Sequence, residues 1–334
     1  MFDKIAIKVP VTGEECVHLT QLHHLHVWTN EAGTLVEYRS SEFSKISGID
    51  IKIARNKATL KCSLHKYWNL RNFGRLRNDN IFTISEAKAA YEMLLFENGF
   101  IASKVRIIQF EVGLNIDVSC DPLSFIEKVT YISAGGKAQK IMFIDANYKI
   151  NRQKTTAKDR DVRRYFKIYD KGWEIQQKQN KRGNKIDPAL NLQVNADGKV
   201  AEKPNNILRI ETVYRRYNEK GDTFFSDENL KRITQRFWVD WKDLFFYRKV
   251  RAYIGARKSE VEKAHMIVNY GPEEYLKRTK QQFMDKDITT KQLRTIREFI
   301  RDYELNSHKY KTMISYQENE YKSLLYKVFS YTKR

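Results

Sequence analysis

The sequence predicts an α+β protein: an antiparallel central sheet with packed helices, followed by a helical C-terminal domain. Up to about residue 217 the chain repeatedly alternates apolar and polar residues with period two, the pattern of strands with one buried face. Past Ser226 the texture turns helical, with capping residues at the starts of the segments. The chain has 334 residues, 41% hydrophobic and 13% aromatic, which is enough apolar material for a packed core and excludes a disordered chain.

The elements follow in order. Residues 1–10 alternate Ile5, Ile7 and Val9 with Lys4 and Lys8, a half-buried strand. Residues 50–64 form a hairpin turning at Asn56. Thr83 and Glu86 have the spacing of a capping box; an apolar stripe of Ala87, Ala90, Tyr91, Leu94 and Leu95 follows, and Gly99 closes the helix. The clearest strand is 107–118, with Ile108, Phe110, Val112, Leu114, Ile116 and Val118 on one face and Gln109, Glu111, Gly113, Asn115 and Asp117 on the other. Asp121 and Pro122 start a short helix, strands follow near 140–148 and 162–171, and 176–206 is polar enough to be a loop. A last strand spans 207–217. Ser226 caps a long aromatic helical segment reaching Val250, and helices are expected at 258–268, 272–284, 290–305 and 320–331. The boundary falls near 225, dividing the chain into domains 1–225 and 226–334.

Charge narrows the partner. Sixty-one Lys and Arg against 41 Asp and Glu leave a formal charge of +20, which favours polyanions, nucleic acid first. No apolar run approaches the ~20 residues that span a bilayer and no signal-peptide pattern opens the chain, so a cytoplasmic protein without membrane contact is expected. Cys16, Cys62 and Cys120 are too scattered for a disulfide framework or zinc ribbon and read as small core residues. Residues 149–185 hold 13 Lys and Arg against four Asp and Glu, with Tyr148, Tyr165, Phe166, Tyr169 and Trp173 interleaved. Cations hold phosphates and rings stack on bases, so this stretch suits single-stranded nucleic acid, with Lys154, Lys158, Arg160, Arg164 and Lys167 as the contacts. A solvated basic loop is the plain alternative.

Within it, a strand would place Tyr165, Lys167, Tyr169 and Lys171 on one face, a tyrosine between two ammonium groups that favour its nucleophilic phenolate. Tyr-Lys alternation is also ordinary on exposed strands. Arg209 and Glu211 share a face of the 207–217 strand. Glu111 and Glu211 are candidate ligands for a hard divalent cation, Mg²⁺ or Mn²⁺, which prefers carboxylate oxygens; a salt bridge to Arg209 or Lys171 is the competing role. His24-Leu25-His26 has the His-hydrophobic-His form of another metal site, in a polar stretch before the central strands. Gly135-Gly136-Lys137 lacks the remainder of a phosphate-binding loop, so no NTPase is implied.

Five stretches, in order, resemble the filamentous phage and plasmid replication proteins of the II/X type, with a more distant likeness to rolling-circle plasmid initiators. The opening MFDKIAIKVP is similar to that family's first strand. Ser63-Leu-His-Lys66 followed by Asn72-Phe73-Gly74 is similar to its S-x-x-K then N-x-F-G segment, one residue shorter. Glu111 stands where the family has the acid of an R-I-D strand, without the preceding Arg. Tyr169-x-Lys171-x-x-Glu174 and Arg209-Ile-Glu211 match the nicking-tyrosine strand and the strand after it. The resemblance covers residues 1–217 and implies a metal-dependent nickase. Tyr169 would be the nucleophile, Lys171 would stabilise negative charge and Glu174 would activate a second attack. Glu111 and Glu211 would bind the metal, with Ser63, Lys66 and Asn72 along the DNA. It further implies origin DNA, duplex and single-stranded, as partner, with a host helicase and polymerase. The rival expectation is a non-enzymatic origin-binding or transcription-regulating protein, with a helix-turn-helix between 258 and 305.

Overall fold

The computed structural model describes residues 1–40, 48–134, 137–140, 149–151, 163–175, 206–242, 244–253 and 255–333. Its strands are β1 (Phe2–Pro10), β2 (His26–Thr29), β3 (Leu35–Arg39), β4 (Ile49–Ala54), β5 (Lys57–Ser63), β6 (Arg106–Asp117), β7 (Val129–Ala134), β8 (Lys137–Lys140), β9 (Lys149–Asn151), β10 (Arg163–Asp170), β11 (Ile207–Lys220), β12 (Phe245–Phe246), β13 (Lys249–Ala252) and β14 (Tyr310–Met313). Nine of them make one antiparallel sheet in the order β2-β3-β4-β5-β1-β6-β11-β10-β9, and the chain is α+β with a helical C-terminal region.

Alternation decides which face of the sheet is buried. Ile5, Ile7 and Val9 of β1, Ile51 and Ile53 of β4, Leu60 and Cys62 of β5, and Phe110, Val112, Leu114 and Ile116 of β6 all lie in one core. Helices Ile84–Glu97, Asp227–Lys242 and Tyr316–Thr332 supply its other side. Trp241 donates through Nε1 to Thr212 Oγ1 at 2.9 Å, and Tyr321 donates through its hydroxyl to the Trp241 carbonyl at 3.0 Å. Ile233, Phe237, Leu325 and Phe329 belong to this same core, so it continues past residue 225.

The β4–β5 hairpin turns at Arg55 and Asn56, both with positive φ (50° and 55°), as a two-residue turn between right-twisted strands requires. The capping box of Thr83 and Glu86 is present, and Gly99 takes φ +66° beyond that helix. Two ten-residue helices have no counterpart among the sequence expectations. Gly13–Leu22 buries only Leu19, and Leu64–Phe73 buries His65 and Asn69 beside Leu64 and Tyr67, so neither displays an apolar stripe. The aromatic helix stops at Lys242 instead of reaching Val250: Phe245 and Phe246 pair with β7, and β13 pairs with β14, contacts too distant in sequence for any local pattern. Helices Lys258–Tyr270, Pro272–Met284 and Thr290–Asn306 lie between β13 and β14. Most of the strand expected at 140–148 lies outside the described residues.

Candidate functional site

Register brings the sequence's candidate residues to one end of the sheet. Lys167 pairs with Glu211 and Tyr169 with Arg209 across β10–β11, while Glu211 pairs with Gly113 and Arg209 with Asn115 across β11–β6. Residues directly opposite share a face, so these side chains converge. Gly113 makes the convergence possible. A Cβ there would lie 2.9 Å from Glu211 Cγ and 3.1 Å from Arg209 Nη2, so any side chain would push the pair out of place.

Arg209 is 2% exposed and is the hub. Its Nε donates to Glu211 Oε1 at 2.5 Å, Nη1 to Asn115 Oδ1 at 2.7 Å, and Nη2 to Asp3 Oδ2. Asp3 is also held by Ser63 Oγ at 2.6 Å and Asn78 Nδ2 at 3.2 Å. The Tyr169 hydroxyl donates to Glu211 Oε1 at 2.9 Å. Lys167 Nζ lies 2.8 Å from Glu211 Oε2 and 3.4 Å from Glu111 Oε1, and Lys4 Nζ lies 3.0 Å from Glu111 Oε2. Glu211 therefore does form the salt bridge with Arg209 that its sequence context allowed.

Burial disfavours ionisation of Asp3 and Glu211, yet Arg209, joined by Lys4 at both and by Lys167 at Glu211, holds both carboxyls well below the usual range. Tyr169 goes the other way. Burial, then the Glu211 carboxylate, push its phenol well above the ordinary value, and Arg209 offsets this only in part. This corrects the expectation of an activated phenolate between two ammonium groups. The strand ends at Asp170, and Lys171 opens a helical turn. The Lys171 ammonium is buried, 2.6 Å from Glu174 Oε2 and 5.9 Å from the Tyr169 ring centroid, and burial lowers its proton affinity. As found, Tyr169 is a protonated donor.

An acid-stability test follows from this hub. Asp3 and Glu211 have depressed folded values, so their stabilising contribution is present above the unfolded carboxyl range, about pH 4, and is lost as pH falls below it. Arg209→Met leaves both carboxylates buried without their main partner and is expected to cost about 3–5 kcal/mol at neutral pH by urea denaturation. The deficit should narrow as pH is lowered towards 4, because the stranded carboxyls then take up protons. A deficit independent of pH would show that Arg209 acts through packing alone.

Asp3, Glu111 and Glu211 each offer an oxygen within 4.8 Å of the others, so this buried triad can hold a metal ion. The three are not equivalent. Both oxygens of Asp3 are engaged by buried or capping groups, whereas Glu111 and the outer oxygen of Glu211 face Lys4 and Lys167, whose side chains are 51% and 25% exposed. Those two ammonium groups can swing aside; Arg209 cannot. The donor set fits a small hard cation held by two carboxylates and by oxygens of its substrate.

The other predicted residues are placed differently. Ser63 caps helix Leu64–Phe73 and accepts from Lys66 N at 3.3 Å, so its hydroxyl positions Asp3 in place of the DNA contact expected of it. Lys66 is half-buried in that helix's first turn, and exposed Asn72 donates to Trp68 O at 2.9 Å, just before the left-handed Gly74. Arg164 corrects another expectation. It points to the opposite face, buried, with Nη1 at 2.8 Å from Asp240 Oδ2, and is unavailable to DNA. Lys154, Lys158 and Arg160 lie outside the described residues. His24 and His26 are exposed beside edge strand β2, four strands from β1. Asp3, Lys4 and Asn115 complete the cluster without having been singled out. Asp3 did carry a signal: it is in phase with Ile5, Ile7 and Val9, a carboxylate where the alternation demands an apolar residue.

Comparison with models of protein families, with characterised proteins and with solved structures gave no match, so the resemblance to the replication proteins rests on the motifs alone. Among the described residues no helix is long and apolar enough to cross a membrane.

Proposed function

We propose that this protein is a rolling-circle replication initiator that nicks one strand of a phage or plasmid origin through Tyr169. The observation that carries the reading is the 2.9 Å hydrogen bond from the Tyr169 hydroxyl to Glu211, inside a cluster where Glu111 and Lys167 also converge. A tyrosine hydroxyl, a carboxylate that accepts its hydrogen bond and orients it, and cations beside them are groups that transesterification of a phosphodiester can use.

The Tyr169 oxygen attacks the scissile phosphorus, the bond from phosphorus to the 3′ oxygen breaks, and a 5′-phosphotyrosine and a free 3′-hydroxyl result. The phenolic proton leaves to solvent as the oxygen attacks, Glu211 staying ionised beside Arg209 and orienting the hydroxyl, and solvent supplies the proton on the leaving 3′ oxygen. Lys167 and Lys4, once drawn off the carboxylates by the phosphate, balance its charge. Lys171 sits beside the tyrosine ring, and Glu174 holds that ammonium in place. Glu111 and Glu211 would hold Mg²⁺ or Mn²⁺, which would supply positive charge that polarises the phosphate and eases loss of the phenolic proton. The phosphotyrosine keeps the energy of the diester, so rejoining needs no ATP. The 3′-hydroxyl primes a host polymerase while a helicase separates the strands.

The test is incubation of the full chain with supercoiled origin DNA and Mg²⁺, followed by denaturing electrophoresis. The expected result is nicked DNA with one end linked to protein. Tight origin binding with neither nick nor adduct would replace this reading with a non-enzymatic origin-binding or regulatory protein.

A further inference from the structure

The sheet face that carries the tyrosine cluster continues beyond it, and there its described cations are exposed. Following the register outward, Lys8 pairs with Thr59, Thr59 with Lys52, Lys52 with Arg39 and Arg39 with His26, so one row crosses five strands on a single face. The neighbouring rows add Lys61 opposite Ala6 and Lys57 opposite Pro10. Lys4, Lys8, Lys52, Lys57, Lys61 and Arg39 are all exposed, whereas the opposite face of β1, β4 and β5 is the core; at the β2–β3 edge Val27 and Val36 of that opposite face are 58% and 50% exposed. Trp28, paired with Glu37 on this face, is 52% exposed at the sheet edge, with the Arg39 guanidinium 4.5 Å from its ring centroid.

Such a face has a plain explanation, since Lys alternating with apolar residues is what a solvated strand displays. Two features exceed it. An exposed tryptophan is not needed for solubility, and a ring beside a guanidinium is a surface on which a base can stack. The cations are also continuous with the cluster: Lys4, on the same face of β1 as Lys8, touches Glu111. The acids on this face, Glu37 shared by Arg39 and Lys52 and Asp50 opposite Lys61, leave the six cations in excess.

We propose that this open face of β1–β5 is a track for single-stranded DNA, leading from Tyr169 to a base-stacking station at Trp28. It deepens the nickase reading and rests on it, because that reading supplies the strand to be held. From β10 to β2 the track crosses seven strand intervals, roughly 34 Å at about 4.8 Å each. Phosphates bind the lysine rows, and an unpaired base stacks at Trp28. A duplex has no free base to offer there.

The test uses the full chain and fluorescently labelled oligonucleotides of two lengths, about 4 and about 16 nucleotides, spanning the site sizes known for stacking folds. Lys8, Lys57 and Lys61 have no ion pair among the described residues and are outside the tyrosine cluster. Reversing them together (Lys8→Glu, Lys57→Glu, Lys61→Glu) should weaken binding of the longer strand and flatten the slope of log affinity against log salt by about 2, from ~0.7 per phosphate contact. Trp28→Ala should weaken the longer strand about tenfold and leave the shorter strand and a duplex unchanged. Thermal melting should confirm that both variants remain folded, as expected for exposed positions. Unchanged slope and affinity in the folded triple variant overturns the track. So does a Trp28→Ala effect that is absent or equal for duplex, which would make the face a general polyanion surface. Failure of the nickase reading is seen separately: a protein that forms no covalent adduct and still loses strand binding in these variants keeps the track and loses the enzyme.

Discussion

Tyr169→Phe is expected to abolish the covalent protein–DNA adduct and to reduce nicking to background, while folding and DNA affinity stay close to the parent's. The substitution removes one oxygen and keeps a ring that is 6% exposed. The hydroxyl's acceptor, Glu211 Oε1, still receives the Arg209 Nε–H at 2.5 Å, so no buried charge is stranded and the stability change should stay within about 1 kcal/mol. Loss of a nucleophile is far larger, because no other group can form the phosphotyrosine bond. Tyr165 is the internal control. It lies on the same strand, opposite Val213, two residues from Lys167 and outside the Y-x-K-x-x-E segment, so Tyr165→Phe should retain cleavage. Peptide mapping of the trapped adduct should place the nucleotide on the peptide containing Tyr169. If both variants nick as the parent does, the tyrosine mechanism is wrong. If only Tyr165→Phe is dead, the motif alignment is shifted by four residues.

The sequence made some of this legible because the relevant physics is local. Period-two alternation exposed the sheet's buried face, and the capping box at Thr83 fixed the start of a helix to the residue. The strand faces of Glu111, Tyr169 and Glu211 were also readable, because side-chain direction follows from parity alone. Their mutual approach was not, since it depends on the pairing of β6 with β11 and β11 with β10, separated by up to about a hundred residues of chain. For the same reason the chemistry of Tyr169 was misjudged. Its neighbours in sequence are lysines, but its nearest partner in space is a carboxylate from another strand, which keeps the phenol protonated. Arg164 shows the parity rule followed too loosely: it alternates with Lys167 and belongs to the face that meets Asp240. Helices whose buried side chains are His65 and Asn69 carry no apolar period, and no reading of hydropathy finds them.

The two carboxylates should separate when tested, because the structure gives them different surroundings. Glu111→Gln changes a residue whose charge is met by Lys4 and Lys167, both able to reach solvent, so stability should fall by no more than about 1 kcal/mol. Glu211→Gln changes one 1% exposed and bound to Arg209, Lys167 and Tyr169. It leaves a buried guanidinium with Asp3 alone, and a loss of about 3 kcal/mol or more is expected in urea denaturation. Both variants should nevertheless lose nicking in Mg²⁺ or Mn²⁺, and both should lose Mn²⁺ binding measured by calorimetry or electron paramagnetic resonance on the folded protein. Duplex origin affinity should stay within a few fold, because distributed Lys and Arg contacts to phosphate set it. Asp3→Asn is the discriminating third variant. If Asp3 only positions Arg209, its amide keeps the hydrogen bonds of Ser63 and Asn78 in part, and Mn²⁺ binding survives in the folded fraction. If Asp3 is itself a ligand, binding is lost with folding intact, and the site is the full triad. Full nicking by Glu111→Gln and Glu211→Gln would remove the carboxylates from the metal role altogether. His24 and His26, exposed at the far edge of the sheet, would then be the remaining donors to test, and a site there would have to act on a phosphate at a distance from Tyr169 that no single ion can bridge.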